Sequence, residues 1–188
     1  MSLTICQLTA DDIALMNALL ATFGAAFNDV DTCNRHRPSA DYLRLLLGGD
    51  SFVALAALKN GDVVGGIAAY ELKKFEQERS DIHIYDLAVV AAHRREGMAT
   101  ALIEHLKQIA AERGAYVMFV QADTGIEDEP AIALYTKLGV GEDVLRLAAQ
   151  ALAGQVAGLE RAGLRGLAVL QFVAGDAGNR AGDASSAR

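Results

Sequence analysis

The sequence predicts a mixed α/β (α+β) domain folded around a single sheet. Three observations lead there. Apolar residues recur at strand-like and then helix-like spacing in the order strand, two helices, hairpin, strand, helix, strand, helix. Two apolar runs are joined by Lys59-Asn60-Gly61-Asp62, and Asn-Gly between such runs is the strongest short-range hairpin signal. Gly114 and Gly139 fall just where two of the helical patterns stop.

Each element has its local reason. Residues 2–8 alternate and read as a strand. Thr9, as N-cap, followed by Asp11 and Asp12 opens a helix carrying Ile13, Leu15, Met16, Leu19, Leu20 and Phe23. Residues 28–38 are polar and read as a loop. Ser39 caps a second helix with Tyr42, Leu43, Leu46 and Leu47, closed by Gly48-Gly49. Residues 52–58 and 63–72 form the hairpin, 82–90 a further strand, 97–113 a helix and 116–121 a buried strand. Residues 123–129 form an acidic loop, and Pro130 suits the first residue of a last helix stopped by Gly139.

The chain has 188 residues, 52% of them hydrophobic, enough for one core. Past Arg146 the composition turns to Ala, Gly, Leu and Arg. The expected division is a domain over residues 1–146, a C-terminal extension over 147–174 and a disordered tail over 175–188. Within the extension, residues 147–164 can form an amphipathic helix weakened by Gly154, Gly158 and Gly163, and residues 167–173 a closing strand. No apolar run is long enough to span a bilayer, and no secretory leader precedes the first strand, so no membrane role is expected. Cys6 and Cys33 make no metal-type spacing and read as reduced thiols of a cytoplasmic protein; no metal is expected. The net charge of −7 argues against nucleic acid as the partner and suits a cationic one.

The segment richest in chemistry runs from Ile84-Tyr85-Asp86-Leu87-Ala88-Val89 into His93-Arg94-Arg95-Glu96-Gly97-Met98-Ala99-Thr100. It is a strand, a basic turn and a helix start. Unpaired N–H groups and the macrodipole make a helix N-terminus attractive to phosphate. Gly97 lets the backbone approach an anion, Ala99 keeps the next turn small, and Arg94 and Arg95 add positive charge. From the turn alone, an anion cradle and an ordinary solvated turn stand even.

Arg94-x-x-Gly97-x-Ala99 after a strand resembles the acetyl-CoA pyrophosphate motif of the GNAT acetyltransferases. Ala131-x-Ala133-Leu134-Tyr135-x-Lys137-Leu138-Gly139 is similar to a later helix of that family. Ser51-Phe52-Val53-Ala54-Leu55-Ala56-Ala57, Lys74-Phe75-Glu76-Gln77, Ile84-Tyr85-Asp86-Leu87-Ala88-Val89, Gly114-Ala115-Tyr116-Val117 and Val120-Gln121-Ala122-Asp123 resemble the aminoglycoside 3-N-acetyltransferases of the gentamicin type, over roughly residues 3–145. The resemblance implies a GNAT fold, a mixed, mostly antiparallel sheet with a splayed central strand pair flanked by helices. It implies acetyl-CoA as the acetyl donor, a cationic aminoglycoside as acceptor, antibiotic resistance as the outcome, and a homodimer.

The resemblance also implies roles. Leu87, Ala88 and Val89 would hold the pantetheine arm and stabilise the thioester oxygen. Arg94, Arg95, Glu96, Gly97, Met98, Ala99 and Thr100 would cradle the pyrophosphate. Tyr135 would face the CoA sulfur and protonate the leaving thiolate. For the base, Asp86 ranks first: it is a charge inside an apolar strand, where burial costs energy without a partner or a use. A structural salt bridge is the competing reading. His83 ranks second, because regular alternation turns it away from Asp86 unless a bulge intervenes. Carboxylates bind ammonium groups through charge-assisted hydrogen bonds. Asp86 and Asp123 are therefore the leading acceptor contacts, with Glu76, Glu127, Asp128 and Glu129, and beside them Glu78, as further candidates. Two other readings stay open: a different amine acceptor (a protein N-terminus, a lysine or a polyamine), and a CoA-binding module without turnover.

Overall fold

A computed structural model describes residues 3–28, 37–123, 128–144 and 167–173. Seven strands form one sheet in the order β1-β2-β3-β4-β5-β7-β6. They are β1 (Leu3–Gln7), β2 (Phe52–Lys59), β3 (Asp62–Lys73), β4 (Ser80–Val89), β5 (Ala115–Asp123), β6 (Val140–Val144) and β7 (Leu167–Val173). Helices α1 (Ile13–Ala26) and α2 (Ala40–Leu47) precede the hairpin, α3 (Met98–Glu112) links β4 to β5, and α4 (Glu129–Leu138) follows β5.

The sheet is buried on both faces at its centre. Val53, Leu55 and Ala57 of β2 pack with Ile67, Ile82, Ile84, Leu102, Leu106 and Met118 on the α3 face. The alternate residues Phe52, Ala54 and Ala56 pack with Leu19, Phe23, Leu43, Ala68 and Ala88 on the α1 face. That two-sided burial is why β2 reads as an unbroken apolar run rather than an alternation. Asn60 and Gly61 take positive φ, 57° and 91°, as a two-residue hairpin turn that matches strand twist requires.

Helix α1 sits tightly on β3. A Cβ at Gly66 would overlap the Leu55 carbonyl and a Leu19 methyl, so only glycine fits there. Its N-terminus departs from expectation: Asp12, not Thr9, is the N-cap. The Asp12 carboxylate accepts from the Thr9 N–H at 2.8 Å and from its hydroxyl at 2.7 Å, reaching back instead of forward into the helix. Ser39 caps α2 as expected, its Oγ accepting from the Tyr42 N–H at 3.2 Å. Pro130 is the second residue of α4, which begins at Glu129.

The strands that frame the site are β4 and β5. They run parallel and pair from Ser80↔Ala115 to Ile84↔Val120. Beyond that point β4 stays with β3 as far as Gly65↔Val89, while β5 stays with β7 as far as Asp123↔Leu167. The two strands therefore part at Tyr85 and Gln121, opening the sheet at its C-terminal end. A β-bulge lies at the same place: Ala68 pairs with Asp86 and Ala69 with Ile84, leaving Tyr85 as the extra residue.

Asp123 ends β5 rather than standing in the loop after it. Strand β7 pairs with both β5 and β6, so part of the C-terminal extension belongs to the main sheet. The helix expected over 147–164 and the tail over 175–188 lie outside the described residues.

Candidate active site

From the parted strands, β4 leads through residues 90–97 into the start of α3. Gly97 is the helix N-cap with φ 83°, and it makes no side-chain cap. The first N–H groups of α3, at Met98, Ala99 and Thr100, have no acceptor within the helix, where the first bond is Ala101 N–H to the Gly97 carbonyl. Among the described residues nothing lies within 4 Å of where a Gly97 Cβ would project, so the turn is open at that point. Arg95 also adopts a left-handed φ, 64°, which curls the turn around the helix axis. Met98 is buried in the α3-face core and anchors the helix start. The residues fit the diphosphate of a CoA thioester: a row of unpaired N–H groups, a helix dipole and an exposed Arg95.

Two residues expected to touch phosphate are partly committed to holding the turn. Arg94 Nε donates to the Val89 carbonyl at 3.1 Å, leaving only its terminal N–H groups for an anion. The Glu96 carboxylate accepts from Lys59 Nζ at 2.8 Å and lies 3.4 Å from His93 Nδ1. Lys59 Nζ is also 3.3 Å from His93 Nδ1. Lys59 thus ties the hairpin to the turn, a link the sequence reading missed because 37 residues separate the partners.

Along β4, the Val90 N–H bonds the Val64 carbonyl of β3. Backbone groups alternate sides along a strand, so those of Ala88 also face β3 and those of Leu87 and Val89 face the opening. These are the backbone groups that can meet a pantetheine arm or an acyl oxygen. Gly65, whose Cβ would stand 2.7 Å from the Ala88 carbonyl, holds β3 and β4 close at this point.

The bulge rearranges the α1 face. Tyr70 is opposite His83 and Ala68 is opposite Asp86, two positions apart on β3. His83 and Asp86 therefore lie on one face, reversing the expectation from regular alternation. Asp86 is half-buried, and among the described residues its carboxylate has no hydrogen bond and no counter-ion. Burial alone pushes its carboxyl up from the ordinary range. Burial likewise pushes His83 down, keeping its imidazole neutral. His83 stacks on Phe119 with ring centres 4.6 Å apart.

Tyr135 projects from α4 into the α3-face core and is 5% exposed. Burial, with a smaller contribution from the Asp128 charge, pushes its phenol up to about 12, so it stays protonated at neutral pH. Asp128 is the N-cap of α4 and Glu129 stands in its exposed first turn. Glu76 is shared within its own loop by Lys74 at 3.8 Å and Arg79 at 3.9 Å, while Glu78 is exposed. Glu127 lies outside the described residues. The fold brings Asp86, His83 and the Leu87–Val89 backbone to one opening; the acidic candidates Glu76 and Glu78 precede β4 and Asp128 and Glu129 follow β5. Among the described residues no group of His, Cys, Asp or Glu is arranged to hold a metal ion.

Comparison with known proteins agrees with this geometry. Residues 15–140 match the Acetyltransferase (GNAT) family. An aminoglycoside acetyltransferase from an uncultured soil metagenomic sample is 64% identical, with a TM-score of 0.80 over 81% of this chain and 100% of that one. A second aminoglycoside acetyltransferase from an uncultured soil metagenomic sample, solved with sisomicin, is 29% identical, with a TM-score of 0.72 over 80% of this chain and 97% of that one. N-acetyltransferase 8 of Rattus norvegicus is 30% identical over 112 residues, 60% of this chain and 49% of that protein. The chain spans about half the length of the curated relatives it matches. With the parted strands, the open helix start and the family match in agreement, the chain belongs to the GNAT acetyltransferases.

Proposed function

We propose that the chain transfers an acetyl group from acetyl-CoA to an amine of an aminoglycoside antibiotic, at the 3-amino group of the 2-deoxystreptamine ring as in the gentamicin-type enzymes, and so confers resistance. The observation that carries the reading is Asp86: a half-buried carboxylate with no counter-ion among the described residues, beside the opening of the sheet. A structural salt bridge would have supplied a partner, and among the described residues none is present. A polycationic acceptor supplies that charge on binding.

Acetyl-CoA supplies a thioester carbonyl open to attack by a neutral amine. The N–H groups of Met98, Ala99 and Thr100, with Arg95 and the free arms of Arg94, hold the diphosphate. The Leu87 and Val89 backbone facing the opening lines the pantetheine arm, and an N–H there steadies charge as it grows on the acyl oxygen. Asp86 accepts a proton from the acceptor ammonium, directly or through water; burial raises its basicity toward that task. Neutral His83 is the second candidate for the same proton. Tyr135 stays protonated and has a proton to give the departing thiolate. Asp123 and the acidic candidates Glu76, Glu78, Glu127, Asp128 and Glu129 are proposed to receive the acceptor's other ammonium groups. The reading extends to a cytoplasmic homodimer, tested by the mass of the chain in solution.

A different amine acceptor is the second reading, favoured by the match to N-acetyltransferase 8 of Rattus norvegicus. Acetyl transfer to a panel of aminoglycosides and peptide amines separates the two, with the modified nitrogen located by NMR. The expected product is an aminoglycoside acetylated at its 3-amino nitrogen; transfer to peptide amines alone overturns the proposal.

A further inference from the structure

A strip of rings crosses the sheet just before the strands part, on the face that carries Asp86. Tyr70 of β3 meets Tyr85 of β4 edge to face, with centres 5.7 Å apart and planes at 82°. Tyr85 meets His83 in the same manner at 5.9 Å and 73°. His83 then lies flat on Phe119 of β5, 4.6 Å away with planes 7° apart. Each contact lies in the range where aromatic pairs attract. Three adjacent strands therefore contribute to one continuous aromatic ledge.

Tyr85 stands out within it. It is the extra residue of the β-bulge, it immediately precedes Asp86, and it is 64% exposed. Ring contacts with both neighbours fix its orientation although little of it is buried. Helix α1 packs against β2, β3 and β4, and Tyr85 stays exposed on that face. A fixed, exposed ring next to a carboxylate that has no partner among the described residues is a surface with two kinds of attraction. The π-face attracts ammonium groups and the apolar faces of sugar rings, and the carboxylate attracts charge alone.

We infer that Tyr85, braced by Tyr70 and His83, is the platform on which the amino-sugar ring of the acceptor rests, setting the reactive amine beside Asp86. The inference rests on the aminoglycoside reading above and adds a binding residue to it. It explains the placement of the bulge. Without the extra residue His83 and Asp86 would face opposite sides and the ledge would not lead to the carboxylate. It also explains why His83 is stacked rather than exposed. A flat, neutral imidazole on Phe119 braces Tyr85 without repelling a cation.

Steady-state kinetics of Tyr85→Ala, Tyr85→Leu and Tyr85→Phe with gentamicin and acetyl-CoA test the ledge. Tyr85→Ala should raise the KM for gentamicin about 5- to 30-fold, as loss of a desolvated cation–π contact does. The KM for acetyl-CoA and the melting temperature should stay near the parent values, because the side chain is exposed. Tyr85→Phe should behave as the parent, and Tyr85→Leu should follow Tyr85→Ala, since it keeps apolar area and loses the π-face. An unchanged gentamicin KM in Tyr85→Ala, or an equal rise in the acetyl-CoA KM, overturns the inference while leaving the aminoglycoside reading intact. A parent chain that transfers nothing to gentamicin or any other aminoglycoside removes both.

Discussion

The Asp86 carboxylate is in a position that stability alone does not favour. Burial raises its folded-state pKa above the unfolded value, so ionisation opposes folding. Its contribution to stability is full below the unfolded pKa and is lost as pH rises through the folded one. Asp86→Asn should therefore leave the melting temperature at neutral pH unchanged or higher, while lowering kcat by roughly 10²- to 10⁴-fold, the range for loss of a general base. A salt-bridged carboxylate would give the opposite thermal result, and differential scanning calorimetry beside kinetics distinguishes the two. The acid limb of the parent kcat/KM profile should lie above the ordinary carboxylate range, for the same reason. Tyr135→Phe removes a proton donor whose phenol burial has raised to about 12. It should lower kcat more than it raises either KM; equal turnover would leave Tyr135 a packing residue.

At the scale of elements, the turn before α3 depends on a residue distant in sequence. Lys59 sits on the hairpin and holds Glu96 and His93 together. Lys59→Met should raise the acetyl-CoA KM several-fold with kcat nearly preserved, because the turn loses its brace and not its donors; an unchanged donor KM would make the contact incidental. Gly66→Ala should cost about 1–3 kcal/mol, since a Cβ there meets backbone that cannot move aside, and urea denaturation measures it. Much of this architecture was legible in the sequence. Asn60-Gly61 declared the hairpin, Ser39 the cap of α2, and Gly97 the open start of α3, because each acts through its immediate neighbours. The bulge at Tyr85 was not legible: an inserted residue leaves no mark in composition, yet it decides which face His83 and Asp86 share. Thr9 is not the N-cap its sequence position suggests, because either residue can cap and only the chain path into α1 selects Asp12. Asp123 looked like loop because its polarity resembles that of residues 127–129, but pairing with β7 extends β5 through it.

The molecule as a whole carries a charge of −7 with a basic turn set into it at Arg94 and Arg95. Its two substrates are expected to be of opposite charge, so salt should affect them differently. Raising ionic strength to about 0.5 M should raise the KM for a polycationic acceptor roughly two- to ten-fold by screening attraction to the acidic surface. The donor, drawn locally by backbone N–H groups and arginines, should respond less. An acceptor KM indifferent to salt would argue that the surface charge serves solubility alone. The sheet offers an opening for the proposed donor and acceptor: pairing of β4 passes entirely to β3 beyond Ile84, and β4 leads from there through residues 90–97 into α3.

The most direct measurement is the release of free CoA thiol by the purified chain supplied with acetyl-CoA, in the presence and absence of gentamicin. The expected result is slow release without the amine and rapid, saturable release with it, abolished together with product in Asp86→Asn. Release that ignores the amine, or undiminished turnover in Asp86→Asn, would contradict it.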